Sequence, residues 1–147
     1  MLSNLKTFAL LGIDAIAVET EVDISAGIPK TVIVGLPEQA VKESIHRIER
    51  AITNLGYRKS TGRTIVNLAP ADIKKDAGSF DLPIALGILI ATKQLAKEST
   101  DGLAFVGELA LDGKLRPIKG ALSIAMAAQK AGIKALMLPE SNSQEAS

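Results

Sequence analysis

Thr31 to Leu55 reads TVIVGLPEQAVKESIHRIERAITNL, and two periodicities meet within it. Thr31-Val32-Ile33-Val34 is a short apolar run, rich in β-branched residues, that stops at Gly35, as a strand does. Beyond it, Val41, Ile45, Ile48, Ile52 and Leu55 recur at spacings of four, three, four and three, which draws one apolar stripe along a helix. Pro37 suits the first turn of that helix, where its missing N–H is harmless, and Gly56 suits its C-terminal stop. Thr64 to Leu68 then reads as a further strand. Strand, helix and strand in succession make the chain α/β.

The same reading extends outward. Ile16, Val18, Thr20, Val22 and Ile24 alternate with Ala17, Glu19, Glu21 and Asp23, a half-buried strand with an acidic outer face. Thr7 to Leu11 is its partner, turned by Gly12 to Asp14. Downstream, Asp81 is expected to N-cap a second helix with Pro83 just inside it. That helix, Ile84 to Leu95, is apolar all round at first and is therefore expected at the centre. Leu103 to Val106 reads as a strand. Leu109 to Leu111 and Lys114 to Pro117 flank Asp112-Gly113, a two-residue hairpin turn. An Ala-rich helix from Gly120 to Ala131 closes at Gly132, and Ile133 to Leu138 is a last strand. The tail from Glu140 to Ser147 is polar, with no closing element expected.

Composition narrows the classes. The chain has 147 residues, 47% of them hydrophobic, enough for one packed domain and too many for disorder. Zero cysteines exclude disulfides and every cysteine-ligated zinc or iron–sulfur site. A single histidine argues against a histidine-built metal site or a charge-relay triad. The apolar runs are too short to span a bilayer and the N-terminus has no signal-like core, so the expectation is a cytoplasmic domain without a membrane partner.

Charge is nearly balanced overall, with 17 basic and 16 acidic side chains. It is uneven locally. Within residues 42–75, Lys42, Arg47, Arg50, Arg58, Lys59, Arg63, Lys74 and Lys75 stand against Glu43, Glu49 and Asp72 alone. A basic patch of this kind holds phosphates by counterion release, and these eight residues are the candidate nucleic-acid contacts. The hydroxyls of Ser60 and Thr61 lie among them. Only Tyr57 of the four aromatic residues falls in this region, so stacking on single strands has no platform. The bland reading is a solvated helix face.

Three stretches are more specific: Val34-Gly35-Leu36-Pro37-Glu38 with Ala40 to Ser44, Val66-Asn67-Leu68-Ala69-Pro70-Ala71-Asp72, and Phe80-Asp81-Leu82-Pro83-Ile84-Ala85-Leu86-Gly87. A fourth runs from Gly107-Glu108-Leu109 to Pro117-Ile118. On these motifs the chain resembles, from near its first residue to its tail, the N-terminal domain of the magnesium-chelatase-like AAA+ ATPases of the ComM/YifB group. The resemblance implies a single Lon-protease-like (ribosomal-protein-domain-like) α/β fold, a mixed sheet packed by about three helices. It also implies that residues 1–139 form the domain and that 140–147 are a tail cut before an ATPase module. In that family the module carries ATP and magnesium, assembles as a hexamer and drives DNA branch migration during natural transformation. Partners implied are the chain's own AAA+ module, neighbouring subunits and DNA.

The residues agree that no cofactor site belongs to this domain. A phosphate-binding loop needs glycine just before its Lys-Thr pair, and Pro29 stands before Lys30-Thr31 without an N–H to offer. Lon-type proteases use a serine nucleophile and a lysine base, and by resemblance Ser79 in Lys75-Asp76-Ala77-Gly78-Ser79 falls near the serine position. The family lysine would follow Pro117-Ile118-Lys119-Gly120, where Ala121, Leu122, Ser123 and Ile124 offer no base. Ser79 is thus a degenerate position, and no catalytic or metal residue is expected. His46, off the apolar stripe, reads as a surface residue. The function expected is a non-catalytic accessory domain. Alternatives are a free-standing DNA-binding module and a Ser-Lys protease relative.

Overall fold

The computed structural model describes residues 1–35, 37, 39–71 and 80–146. Strands β1 (Leu2–Leu11) and β2 (Asp14–Ser25) form a full-length antiparallel hairpin. β1 starts well before the expected Thr7, because Ser3 and Leu5 are as buried as the residues that follow. Their register aligns Ser3, Leu5, Thr7 and Ala9 with Val22, Thr20, Val18 and Ile16 on one face of the sheet. β3 (Lys30–Val34) connects through α1 (Gln39–Asn54) to β4 (Arg63–Ala69), which lies parallel to β3 and antiparallel to β2. This is the strand, helix, strand unit read from the sequence.

After α2 (Asp81–Ala91), β5 (Leu103–Phe105) joins β1 in parallel, and β8 (Ala135–Met137) joins β5 in parallel. The mixed six-stranded sheet therefore runs β3-β4-β2-β1-β5-β8. A small ribbon of β6 (Glu108–Leu109) and β7 (Leu115–Arg116) stands beside it, and α3 (Ala121–Lys130) precedes β8. The α/β class with a mixed sheet is as expected.

The two sheet faces are covered differently. α1 and α2 share a core with Val18, Val22, Ile33, Val66 and Leu68. α3 packs on the other face, where Phe8, Ala104, Val106, Ile124 and Ala128 form a second core. α2 is central, as its all-round apolarity predicts, and it lies very close to the sheet. A Cβ on Gly87 would sit 2.6 Å from Val22 Cγ2, and Ser3 Oγ donates to the Gly87 carbonyl at 2.9 Å. The stripe of α1 meets α2 and the β3 edge more than the sheet at large. Leu55 falls past the helix end and is 54% exposed, and Pro37 precedes the helix rather than opening it.

Helix ends follow local chemistry. Gly56, at φ +91°, ends α1 by donating its N–H to the Thr53 carbonyl while the Tyr57 N–H reaches that of Ile52. This is the paired cap that a left-handed residue permits. Lys93 holds the same position after α2 at φ +62°, without glycine's freedom.

Two expectations are corrected here. The hairpin loop has three residues, Leu111 to Gly113, closed by the Ala110 N–H on the Lys114 carbonyl, with Gly113 at φ +90°. Asp112-Gly113 supplies its second half, as in a type I turn followed by a left-handed residue. The tail does carry a closing element. A 3₁₀ turn (Glu140–Asn142) leads into α4 (Ser143–Ala146). Buried Asn142 accepts from the Ile118 N–H at 2.9 Å and donates to the Ile118 carbonyl at 3.1 Å.

Candidate nucleic-acid interface

The buried stripe of α1, Val41, Ser44, Ile45, Ile48, Ala51 and Ile52, fixes which residues face outward. Lys42, His46 and Arg50 are exposed and recur every four residues, so they stand in one row. Arg58 and Lys59 follow the glycine cap. Their loop is anchored to the end of α2, where the Gln94 side chain accepts from the Arg58 N–H at 2.8 Å and donates to the Arg58 carbonyl at 2.7 Å.

Arg47 behaves differently from its neighbours. Its Nε and Nη2 donate to the two carboxylate oxygens of Asp81, each at 3.1 Å, and its side chain is 29% exposed. Asp81 is 1% exposed and also accepts from the Leu109 N–H at 2.9 Å. Three elements therefore meet on one carboxylate: α1, the start of α2 and the β6–β7 ribbon. The expected N-cap role of Asp81 is corrected. Asp81 is the first residue of α2, no side chain caps that end, and its oxygens are turned to Arg47 and Leu109 instead. Burial pushes the Asp81 carboxyl above its ordinary range, the bonds from Arg47 and Leu109 pull it down, and burial outweighs them.

The β6–β7 ribbon leans on α1. Asn54 Nδ2 donates to the Leu111 carbonyl at 2.8 Å, and Gly113 sits so close to Leu55 that a Cβ would come within 2.5 Å of its Cδ1. The result is a cleft of about 390 Å³ lined by His46, Arg47, Glu49, Arg50, Thr53, Lys59 and Leu111. Three of the eight candidate contacts, Arg47, Arg50 and Lys59, thus share one opening. The sequence reads His46 as a surface residue and Leu111 as a strand end, and places neither at the site. The row from Lys42 through His46 to Arg50 was a readable signal for the first, whereas Leu111 arrives only through the fold of the ribbon.

Other candidates stand elsewhere. Lys42 continues the row toward the helix start. Arg63 lies on the sheet face opposite α1, because Thr64, Val66 and Leu68 of β4 turn inward and Arg63 has the other parity. The Ser60 hydroxyl is engaged within its own turn, accepting from the Gly62 N–H and from Thr64 Oγ1. Lys74, Lys75 and Ser79 lie outside the described residues. Among the described residues no group of three His, Cys, Asp or Glu is placed to hold a metal ion, and no helix is long and apolar enough to cross a membrane.

Comparison with known proteins places this geometry in a lineage. Residues 20–142 match the family described as subunit ChlI of magnesium chelatase. The chain is 43% identical to the uncharacterised protein YifB of Escherichia coli K12 over 97% of its own length, and 44% identical to competence protein ComM of Haemophilus influenzae over 95%. It spans only 28% and 27% of those two proteins. It is also 28% identical to Lon protease 2 of Bacillus subtilis over 70% of the chain and 18% of that protein. The chain belongs to the family of the magnesium-chelatase subunit ChlI.

Proposed function

We propose that these residues serve as the non-catalytic N-terminal accessory domain of a longer AAA+ ATPase, a DNA branch-migration helicase of natural transformation. In this reading the domain supports ring assembly and engages DNA through Lys42, Arg50, Arg58 and Lys59. ATP and magnesium belong to the remainder of the longer protein, whose module and neighbouring subunits in a hexamer are the domain's partners. A competence protein among the relatives supports the pathway, and the 27–28% coverage of those relatives leaves room for a motor. The observation that carries DNA engagement is the clustering of exposed cations along α1 and the loop pinned by Gln94.

Such contact is directed at the phosphate backbone and depends on salt. Four phosphate contacts give a slope of about −3.6 in log affinity against log salt, a loss of roughly 150-fold between about 50 and 200 mM salt. Fluorescence anisotropy with labelled duplex measures it, and replacing Arg50 and Arg58 by alanine should lower the slope by about 2. Affinity that ignores salt, or survives the double substitution, refutes the reading.

The Lon likeness raises a second reading, peptide hydrolysis at Ser79, which the neighbouring residues oppose. Lys119 precedes Gly120, and the residues after that glycine offer no base, so a fluorogenic peptide is expected to stay intact. Cleavage abolished by Ser79→Ala would reverse this assignment.

A further inference from the structure

The α1 cleft has features that a solvated row of cations lacks. Its guanidinium from Arg47 is held from behind. Both bonds to Asp81 use one edge, Nε and Nη2, and Nη1 has no hydrogen-bond partner among the described residues. The carboxylate that holds it is itself fixed by the Leu109 N–H, so the guanidinium is prepositioned rather than free to sweep through solvent. Arg50 lines the same cleft, with its Nη2 bonded to Asn54 Oδ1 at 3.2 Å, and Lys59 enters from the loop. The Thr53 hydroxyl donates back to the helix carbonyls of Glu49 and Arg50, so it forms wall rather than donor. Leu111 closes one side with apolar surface.

Counting charge decides the class of ligand. Arg47 is neutralised by Asp81, and Glu49, which accepts from Thr31 Oγ1 at 3.5 Å, offsets one of the two remaining cations. The lining carboxylate and cations leave about one net positive charge, and Glu43 and Glu108 act on Arg47 from outside the lining. That suits a singly charged anion and disfavours a dianion, whose second charge would face Glu49 with Glu43 and Glu108 nearby. A phosphodiester has one negative charge and two acceptor oxygens in a plane, the geometry a guanidinium edge meets.

We propose that this cleft is a seat for a single phosphodiester group, received by Arg47, Arg50 and Lys59 beside His46. It rests on the reading of the α1 face as a nucleic-acid contact and adds where one phosphate is held and which charge state is selected. In the longer protein the seat fixes the register of the backbone on α1, while Lys42 and Arg58 contribute charge without fixing position.

His46 is the single histidine, so its ring C–H resonances report on the cleft without assignment of other residues. The experiment titrates the 147-residue chain with a thymidine tetranucleotide lacking terminal phosphates, and separately with inorganic phosphate at pH 8, following His46 by proton NMR. Duplex binding by anisotropy is measured on the same samples. The expected result is a saturable shift with the tetranucleotide, weakened about fivefold or more by Arg50→Gln or Lys59→Gln. Glu49→Gln is expected to strengthen the response to inorganic phosphate relative to the tetranucleotide. Arg47→Lys keeps the charge and loses the fork, and should weaken the seat more than Lys59→Arg does. Thermal unfolding of each variant separates lost binding from lost fold, and the exposed positions Arg50 and Lys59 keep the test valid should Arg47→Lys not fold. No His46 shift while duplex still binds overturns the seat and leaves the face reading intact. No binding of either ligand overturns both. An equal response to inorganic phosphate, unchanged by Glu49→Gln, overturns the selection of a single charge.

Discussion

Arg47→Met removes both bonds to Asp81 and leaves a carboxylate that is 1% exposed with only the Leu109 N–H to meet it. The folded variant has two ways to accommodate that group. A charged, unpaired carboxylate costs about 3–5 kcal/mol in a fully buried setting. Protonation has a ceiling fixed by linkage. For a carboxyl of ordinary pKa 3.8 it costs about 1.36 kcal/mol per pH unit above that value, hence about 4.4 kcal/mol at pH 7 and about 1.6 at pH 5. Arg47 is itself 29% exposed, so part of the lost interaction is recovered by solvent.

The expected destabilisation is therefore about 2–4 kcal/mol at pH 7 and about 1–2 kcal/mol at pH 5. The sign follows from the native pair. Burial already holds Asp81 above its ordinary value, and the nearby Glu108 charge adds to the upward push. Stability from this group is thus full below its ordinary pKa and declines as pH rises through the folded value. Removing Arg47 raises the folded value further and carries the decline toward neutrality. Urea unfolding followed by far-UV circular dichroism at the two pH values measures the difference. Asp81→Asn in the same background, which keeps an acceptor for Leu109, should flatten it. An equal loss at pH 5 and pH 7, or one under about 1 kcal/mol at pH 7, refutes the argument.

Three further outcomes follow from packing and backbone geometry. Gly87→Ala places a Cβ 2.6 Å from Val22 Cγ2, and despite better helix propensity it should lower stability by about 1–3 kcal/mol in thermal unfolding. Lys93→Gly relieves a left-handed residue at φ +62° and should raise urea stability by about 0.5–1 kcal/mol. Thr20 Oγ1 is buried without a partner among the described residues, so Thr20→Val should leave stability unchanged or raise it by up to about 1 kcal/mol, read as a shift in the unfolding midpoint.

Where local rules sufficed, the sequence could be read closely. The α1 stripe and Gly56 located the helix and its cap, because spacing and a left-handed stop need no knowledge of distant residues. Thr64 to Leu68 was equally legible as a strand, and the folded strand begins one residue earlier, with Arg63 on the side of Ile65. Alternation could not say which side α1 covers, and that decides whether Arg63 joins the patch. Asp81 looked like a helix cap since caps are the commonest local use of an aspartate before an apolar run. Its partners, Arg47 and Leu109, lie 34 and 28 residues away, and no spacing rule brings them together. The closing turn in the polar tail was hidden for the same reason, the bonds of Asn142 to Ile118 crossing 24 residues. Of the candidate site, the cations were legible as composition and the cleft was not, because one wall comes from a ribbon that meets α1 only in the folded chain.

The second core, beneath α3, has a composition that sets its character. Ala104 and Ala128 are all but fully buried there, with Phe8, Val106 and Ile124 as its larger members. Alanine has no side-chain rotamers to freeze, so docking α3 on the sheet incurs little conformational entropy. Each methyl also hides little apolar area, so cohesion comes from the nearness of helix and sheet backbones. A layer built this way tolerates thermal motion of its exposed side chains but leaves no slack for a larger group at those two positions.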